Sequence, residues 1–167
     1  MKLRILYLFL LFIPLINGCG IYSFTGASIS PDVKSVSVQY FKNNATLVQP
    51  KLSQTLTDAL KDKFSTQTNL NLINKGGDLS FEGSITNYST QPVAIQGNET
   101  AALNRLTITI SVKFTNIKND KQNFESTFSR YEDYPSSKNL VSVEDGLIKQ
   151  ITDVLVEDIF NKAVVNW

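Results

Sequence analysis

The chain has 167 residues, with 16 Lys plus Arg, 15 Asp plus Glu, one Cys and no His. A formal net charge of +1 gives no bulk attraction to nucleic acid or anionic lipid, and the length suffices for one hydrophobic core without disulfides or a structural metal. Lacking His, it can build no Ser-His-Asp or Cys-His arrangement and no imidazole-dependent zinc site; one Cys closes no disulfide, so composition points away from an enzyme.

Residues 1–18 read as a removable leader. Lys2 and Arg4 precede an almost wholly apolar run from Ile5 to Ile16, with Pro14 near its end. A membrane-crossing helix needs about 20 apolar residues, so a secretory signal is the better reading. Ile16-Asn17-Gly18-Cys19 follows, and it resembles the bacterial lipoprotein processing box, in which the Cys becomes the acylated N-terminus. The alternative is an ordinary secretory signal followed by an unpaired Cys, a liability in an oxidising compartment. Each buried CH₂ is worth roughly 0.8 kcal/mol, so two or three acyl chains on Cys19 would hold the domain on a membrane without a protein span. No acidic residue occurs among residues 20–31, and by resemblance to lipoprotein sorting rules this implies outer-membrane delivery.

Residues 19–31 form an acylated tether whose Tyr22 and Phe24 suggest partial packing on the domain or the membrane rim. From Val33 to Phe41 the alternation of Val36, Val38 and Tyr40 with Ser35, Ser37 and Gln39 predicts a half-buried strand, ended by a turn at Asn43-Asn44. Pro50 opens a helix whose apolar positions are Leu52, Leu56, Ala59, Leu60 and Phe64. A short apolar segment, Leu70, Leu72 and Ile73, leads to a turn at Gly76-Gly77.

Leu79, Phe81, Gly83 and Ile85 then share one strand face, with Ser80, Glu82, Ser84, Thr86 and Tyr88 opposite. Gly83 inside a strand implies a bulge or a close approach, most simply a helix crossing closely over the sheet. Arg105 to Ile117 gives the longest strand signal: Leu106, Ile108, Ile110, Val112 and Phe114 alternate with Thr107, Thr109, Ser111, Lys113 and Thr115. After Asn119-Asp120, the stretch Asn123 to Tyr131 reads as its hairpin partner, with Phe124, Ser126, Phe128 and Arg130 on one parity. Ser142 and Asp145 fit a capping arrangement for a last helix, whose wide stripe runs from Leu147 through Val154 and Ile159 to Trp167.

The order is β-α-β-β-β-α, with room for one more short strand at 70–74. A one-sided sheet needs an apolar cover, which two amphipathic helices supply. The expectation is an α/β (α+β) two-layer sandwich over residues 32–167: a mixed sheet, both helices on one face, the other face polar. Pairing order is not readable from the pattern.

Several blocks match a known family. Cys19-Gly20-Ile21-Tyr22-Ser23-Phe24-Thr25-Gly26, Ser37-Val38-Gln39-Tyr40-Phe41, Leu52 to Phe64, Gly76-Gly77-Asp78-Leu79-Ser80-Phe81-Glu82-Gly83 and Asn98 to Thr107 together resemble the Bacteroidetes-type LptE lipopolysaccharide-assembly lipoproteins. The resemblance implies an outer-membrane lipoprotein on the periplasmic side, acylated at Cys19. It further implies a non-enzymatic plug that helps assemble an LptD-like β-barrel in a 1:1 complex and supports lipopolysaccharide transport to the outer leaflet. No cofactor is implied.

Within that frame the long connection Gln91 to Asn104 is the leading partner contact, through Asn98, Glu99, Thr100 and Arg105, its bland counterpart being a solvated loop. Tyr131 and Tyr134, read as an aromatic-bearing turn, are a second contact or else core edge. Arg105, Lys113 and Arg130 are candidates for lipid A phosphates, depending on strand pairing; solvated sheet charges are the ordinary reading. Two other function classes stand beside this one. A free periplasmic ligand-binding lipoprotein predicts a sizeable cavity between helices and sheet, and an enzyme would rest on carboxylates such as Asp78 and Glu82.

Overall fold

The computed structural model describes residues 29–93 and 102–165. Six strands form one mixed sheet: β1 (Ser35–Val38), β2 (Lys42–Asn43), β3 (Asn71–Ile73), β4 (Leu79–Val93), β5 (Leu103–Asn116) and β6 (Phe124–Pro135). Two helices, α1 (Pro50–Gln67) and α2 (Leu140–Val164), pack on one face. The strand order is β3-β1-β4-β5-β6, with β2 also beside β4. β1 runs parallel to both neighbours, while β4, β5 and β6 form an antiparallel meander. The expected sandwich is therefore present: β3 is the extra short strand for which 70–74 left room, and β2, where a turn was expected, is the one addition to the order read from the sequence. The Cys19 acylation site, the leader, most of the tether and Trp167 lie outside the described residues.

Periodicity accounts for the helices. Leu52, Leu56, Leu60 and Phe64 recur every fourth residue and are all fully buried. Gln49 caps α1, its side chain accepting from the Lys51 N–H at 2.9 Å, and Pro50 occupies the first turn, where no N–H is needed. For α2 the cap is Asn139, whose side chain accepts from the Val141 N–H at 3.1 Å. The expected Ser142 and Asp145 pair does other work: Ser142 Oγ donates to the Asn139 carbonyl at 2.7 Å, and Asp145 pairs with Lys51 at 3.1 Å. Val154, expected in the apolar stripe, points to solvent, while Thr152 and Val156 are buried instead.

Strand parity is broken in two places. The sequence pattern puts Tyr40 with Val36 and Val38, yet Tyr40 is 54% exposed and Phe41 is fully buried. β1 ends at Val38, and the Phe41 N–H is held by Thr57 Oγ1 at 3.1 Å on α1, which turns the ring inward. Ser37 is also buried, because its Oγ accepts the Gly77 N–H at 3.1 Å. In β4 the pairing with β5 slips between Ile85 and Asn87, leaving Thr86 as the extra residue of a bulge. That slip swings Tyr88, expected on the polar face, into the core. There its hydroxyl donates to Glu144 Oε1, and burial followed by this carboxylate raises its pKa.

Gly83 is explained by Phe41 rather than by a crossing helix. A Cβ there would lie 2.6 Å from Phe41 Cε1 and 2.2 Å from the Ser111 carbonyl oxygen. The ring thus fills the space beside β4 that a side chain would occupy.

Asp78 ties the turn before β4 to the start of β1. Its Oδ2 accepts the Lys34 N–H at 2.8 Å, the Ser35 N–H at 3.0 Å and Ser35 Oγ at 3.1 Å, while Lys118 Nζ lies 3.3 Å from Oδ1. The Lys34 N–H is the largest cause of a pKa lowered to about 2, with Lys118 and Ser35 adding to it against partial desolvation. Hydrogen bonds to the charged form favour ionisation.

Two outcomes follow for denaturation experiments. Gly83→Ala should destabilise by about 2 kcal/mol or more, because the Ser111 backbone cannot move aside. Gly146→Ala, inside α2 with nothing within 4 Å of the new Cβ, should be neutral or stabilising. Equal urea midpoints for the two variants would contradict this account. The contribution of Asp78 is fully present above its ordinary value of 3.8 and is lost as pH falls toward about 2. Asp78→Asn should flatten the acid slope of the urea midpoint in that window; an unchanged slope would remove Asp78 from the account.

Candidate functional site

The face of β4, β5 and β6 away from the helices carries the polar side chains expected there. Register places Ser84, Ser111 and Thr127 in one cross-strand row, and Glu82, Lys113 and Glu125 in another. Asn87, Thr109 and Ser129 form a third, in which the Thr109 and Ser129 hydroxyls meet at 2.9 Å. Among the described residues of these three strands, Tyr131 is the one large apolar side chain that is well exposed, at 53%.

Tyr131 belongs to the best-organised cluster of this face. Arg105 makes two parallel hydrogen bonds to Asp133, Nε to Oδ1 at 2.7 Å and Nη2 to Oδ2 at 2.9 Å, and its guanidinium carbon stands 3.6 Å from the Tyr131 ring centroid. The Arg105 hydrogen bonds are the main cause of a lowered Asp133 pKa, so the pair stays ionised over the physiological range. The cluster lies at the end of the sheet where β4 and β5 lead into the 94–102 connection. The Ser136 N–H donates to the Ala102 carbonyl there at 2.9 Å.

The three candidate cations do not converge. Arg105 and Lys113 sit on the open face, Lys113 opposite Glu82 and Glu125. Arg130 projects to the helix side, where Nε and Nη2 bind the Asp158 carboxylate of α2 at 2.7 and 3.0 Å. Each arginine thus carries its own carboxylate, and both guanidinium pKa values are raised by it. Tyr134 is buried at the core edge, whereas Tyr131 is exposed; both are on β6, not on a turn. Asn98, Glu99 and Thr100 lie outside the described residues. The sequence reading did not find Asp133 or Asp158 as the arginines' partners. The β5–β6 register, which hydrophobic alternation does not specify along the strand, brings Asp133 opposite Arg105; for Arg130 the missing signal is the seating of α2 on β6.

Among the described residues the helix side has several open grooves. One of about 670 Å³ runs between α1 and α2 past Ala59, Thr152 and Val156, bordered by the Lys63–Glu157 and Lys149–Asp153 pairs. Another, of about 340 Å³, lies between residues 29–34 and 66–70. Between the layers, the pocket beside Val33, Leu79 and Ala163 holds only about 10 Å³, the room of one water. Among the described residues no group of three His, Cys, Asp or Glu side chains is placed to hold a metal, and no helix is long and apolar enough to cross a membrane. Asp78 and Glu82 are engaged separately, Asp78 with backbone amides and Glu82 with Gln39.

Comparison with known proteins gives the fold independent support. A minor lipoprotein of Acinetobacter baumannii has a similar structure at 15% identity and a TM-score of 0.52, over 78% of this chain and 91% of that one. A protein of Xanthomonas campestris is similar at 10% identity and a TM-score of 0.52, over 83% and 90% of the two chains. So is a putative neuraminyllactose-binding hemagglutinin homolog of Helicobacter pylori, at 8% identity and 0.52, over 81% and 86%. These likenesses speak to the fold alone. No curated protein sequence matches the chain. The family model for lipopolysaccharide-assembly LptE proteins matches residues 33–163, nearly the whole folded domain. The chain therefore belongs to the LptE family: it is a non-enzymatic, lipid-anchored outer-membrane lipoprotein facing the periplasm, and it partners an LptD-type barrel in lipopolysaccharide transport.

Proposed function

We propose that this protein acts as a plug: it sits 1:1 in the lumen of the LptD-type barrel, helps the barrel assemble, and turns the open face of its sheet to the lumen wall. The observation that carries this reading is the chemistry of that face. Rows of Ser, Thr and Asn, with charges of alternating sign across strands, suit a wet polar lumen and not lipid. The cluster of Arg105, Tyr131 and Asp133, with Asn98, Glu99 and Thr100 in the adjoining connection, is the proposed contact with the barrel. Tyr134 supports that end from within the core. Arg and Tyr are residue types that anchor interfaces.

In the same proposal residues 1–18 are removed and Cys19 carries the acyl chains at the head of a tether over residues 19–31. The blocks that resemble the Bacteroidetes-type members support placing the chain in that branch. Lipopolysaccharide contact, in this reading, is made by single cations: Lys113 on the open face, and Arg105 and Arg130 on opposite faces, each arginine exchanging its carboxylate for a phosphate. The competing reading, a free ligand-binding lipoprotein, calls for a sizeable cavity between helices and sheet; among the described residues the pocket there, beside Val33, Leu79 and Ala163, holds about 10 Å³, and the larger grooves are open at the surface.

Native pull-down of epitope-tagged protein from detergent-solubilised outer membranes should recover a large β-barrel at close to 1:1 stoichiometry. Arg105→Ala with Tyr131→Ala should lower that recovery about tenfold. The domain's own melting temperature should barely change, because the lost pair is partly exposed. Recovery of the protein alone, under conditions where other barrel complexes survive, would overturn the plug reading.

A further inference from the structure

The domain has two poles, and they differ in chemistry. At one pole lie Ile29, the C-terminal ends of α1 and α2, the start of β4 and the β5–β6 turn. Ile29 lines both the groove formed with Thr66 to Leu70 and the small pocket formed with Asn116, Gln122, Ala163 and Val164. Buried Asn116 shapes the turn here, its side-chain oxygen accepting the Lys118 N–H at 2.8 Å. Ile117 stands out from the turn at 59% exposure, and the Asp78 carbonyl accepts its N–H at 3.0 Å.

Four lysines lie at the same end of the sheet: Lys34 and Lys118 around Asp78, Lys121 in the turn, and Lys75 in the connection to β4. The acids at this pole are Asp32, Asp78 and Asp120; Asp78 binds the Lys34 and Ser35 amides and pairs with Lys118, which leaves Lys34, Lys75 and Lys121 against Asp32 and Asp120. At the other pole Leu47, Val48 and Val141 are exposed, but the acids there outnumber the cations by one: Glu132, Asp133, Glu144 and Asp145 against Lys51, Arg105 and Lys138.

From these observations we infer that the pole holding Ile117, Lys34, Lys75, Lys118 and Lys121 is a membrane-facing surface, resting on the anionic headgroups of the leaflet in which the acyl chains are buried. The inference rests on the reading of Cys19 as the acylated residue. Cys19 precedes Ile29 by ten residues, which reach at most about 35 Å when fully extended. β4, at 15 residues, spans about 50 Å. The tether therefore delivers the Ile29 pole to the leaflet and leaves the Arg105 end farthest from it. Lysines attract anionic headgroups and an exposed Ile enters the headgroup–acyl boundary. The other pole, despite its three exposed apolar side chains, has no excess of cations to draw it to the same surface.

The test uses the full chain, produced with its leader, in a Trp167→Phe background. It is reconstituted into vesicles of phosphatidylethanolamine and phosphatidylglycerol with brominated acyl chains. One variant carries Ile117→Trp and another Val141→Trp, and the intact mass of the mature chain reports acylation. The expected result is an acylated chain in which the tryptophan at 117 is quenched several-fold more than the one at 141. Lys34→Gln, Lys75→Gln and Lys121→Gln together should then lower the quenching at 117 several-fold. An acylated chain with equal or reversed quenching overturns the inference and leaves the anchor standing, as does quenching at 117 that ignores the lysine changes. A chain without the acyl mass overturns both.

Discussion

A ladder of five phenylalanines holds the two layers together. Phe160 on α2 meets Phe64 on α1 at 5.1 Å between centroids, and Phe64 meets Phe81 on β4 at 4.9 Å. Phe81 continues to Phe114 on β5 at 4.9 Å, and Phe114 to Phe124 on β6 at 5.2 Å. All four pairs are tilted, an arrangement worth roughly 0.5–1.5 kcal/mol per pair beyond the area buried. The last two contacts coincide with directly opposed residues in the β-register, Phe81 with Phe114 and Phe114 with Phe124. A slip of either strand by one residue would break the ladder and turn the apolar face outward. The aromatic row therefore specifies the register that also brings Arg105 opposite Asp133.

The polar face follows from the same constraint. With the core alternation of β5 committed to the helices, Thr107, Thr109, Ser111, Lys113 and Thr115 face away from them, and their neighbours on β4 and β6 are hydroxyls, amides or compensating charges. The bulge at Thr86 is the one departure: it sends Tyr88 inward to Glu144, and Gln49 Nε2 reaches the same carboxylate at 2.9 Å. That bridge connects β4, the cap of α1 and the N-terminal part of α2, so the end of the sheet carrying Arg105 is braced by both helices. Arg105 and its strand neighbours are thus held in place before a partner arrives, which lowers the ordering cost of binding.

Much of the fold was legible in the chain. The long strict alternation of β5 and the fourfold spacing of Leu52, Leu56, Leu60 and Phe64 specify their elements almost alone, and the family blocks specify the partner class. What could not be read depends on contacts between distant segments. Phe41 displaces Tyr40 from the core because Thr57, sixteen residues on, captures its amide. Gly83 reads as a close approach, but the approaching group is Phe41, a side chain of the β1–β2 connection. β2 is too short for any periodicity, and Tyr88 changes sides through a bulge that no local residue announces. The candidate site was legible as residue types and not as partners, since Arg105 and Arg130 have opposite parity yet each finds a carboxylate only through tertiary pairing.

The central claim is that the open sheet face of this LptE-family protein lies against the wall of its barrel. A photo-crosslinking residue placed at Thr109, in the middle of β5 on that face, addresses it in the native outer membrane. Irradiation should yield an adduct with the LptD-type barrel, seen as a single larger species containing both chains. An efficiently incorporated probe that gives no barrel adduct, in cells where the two proteins still co-purify, would contradict the account and move the interface to the helix side.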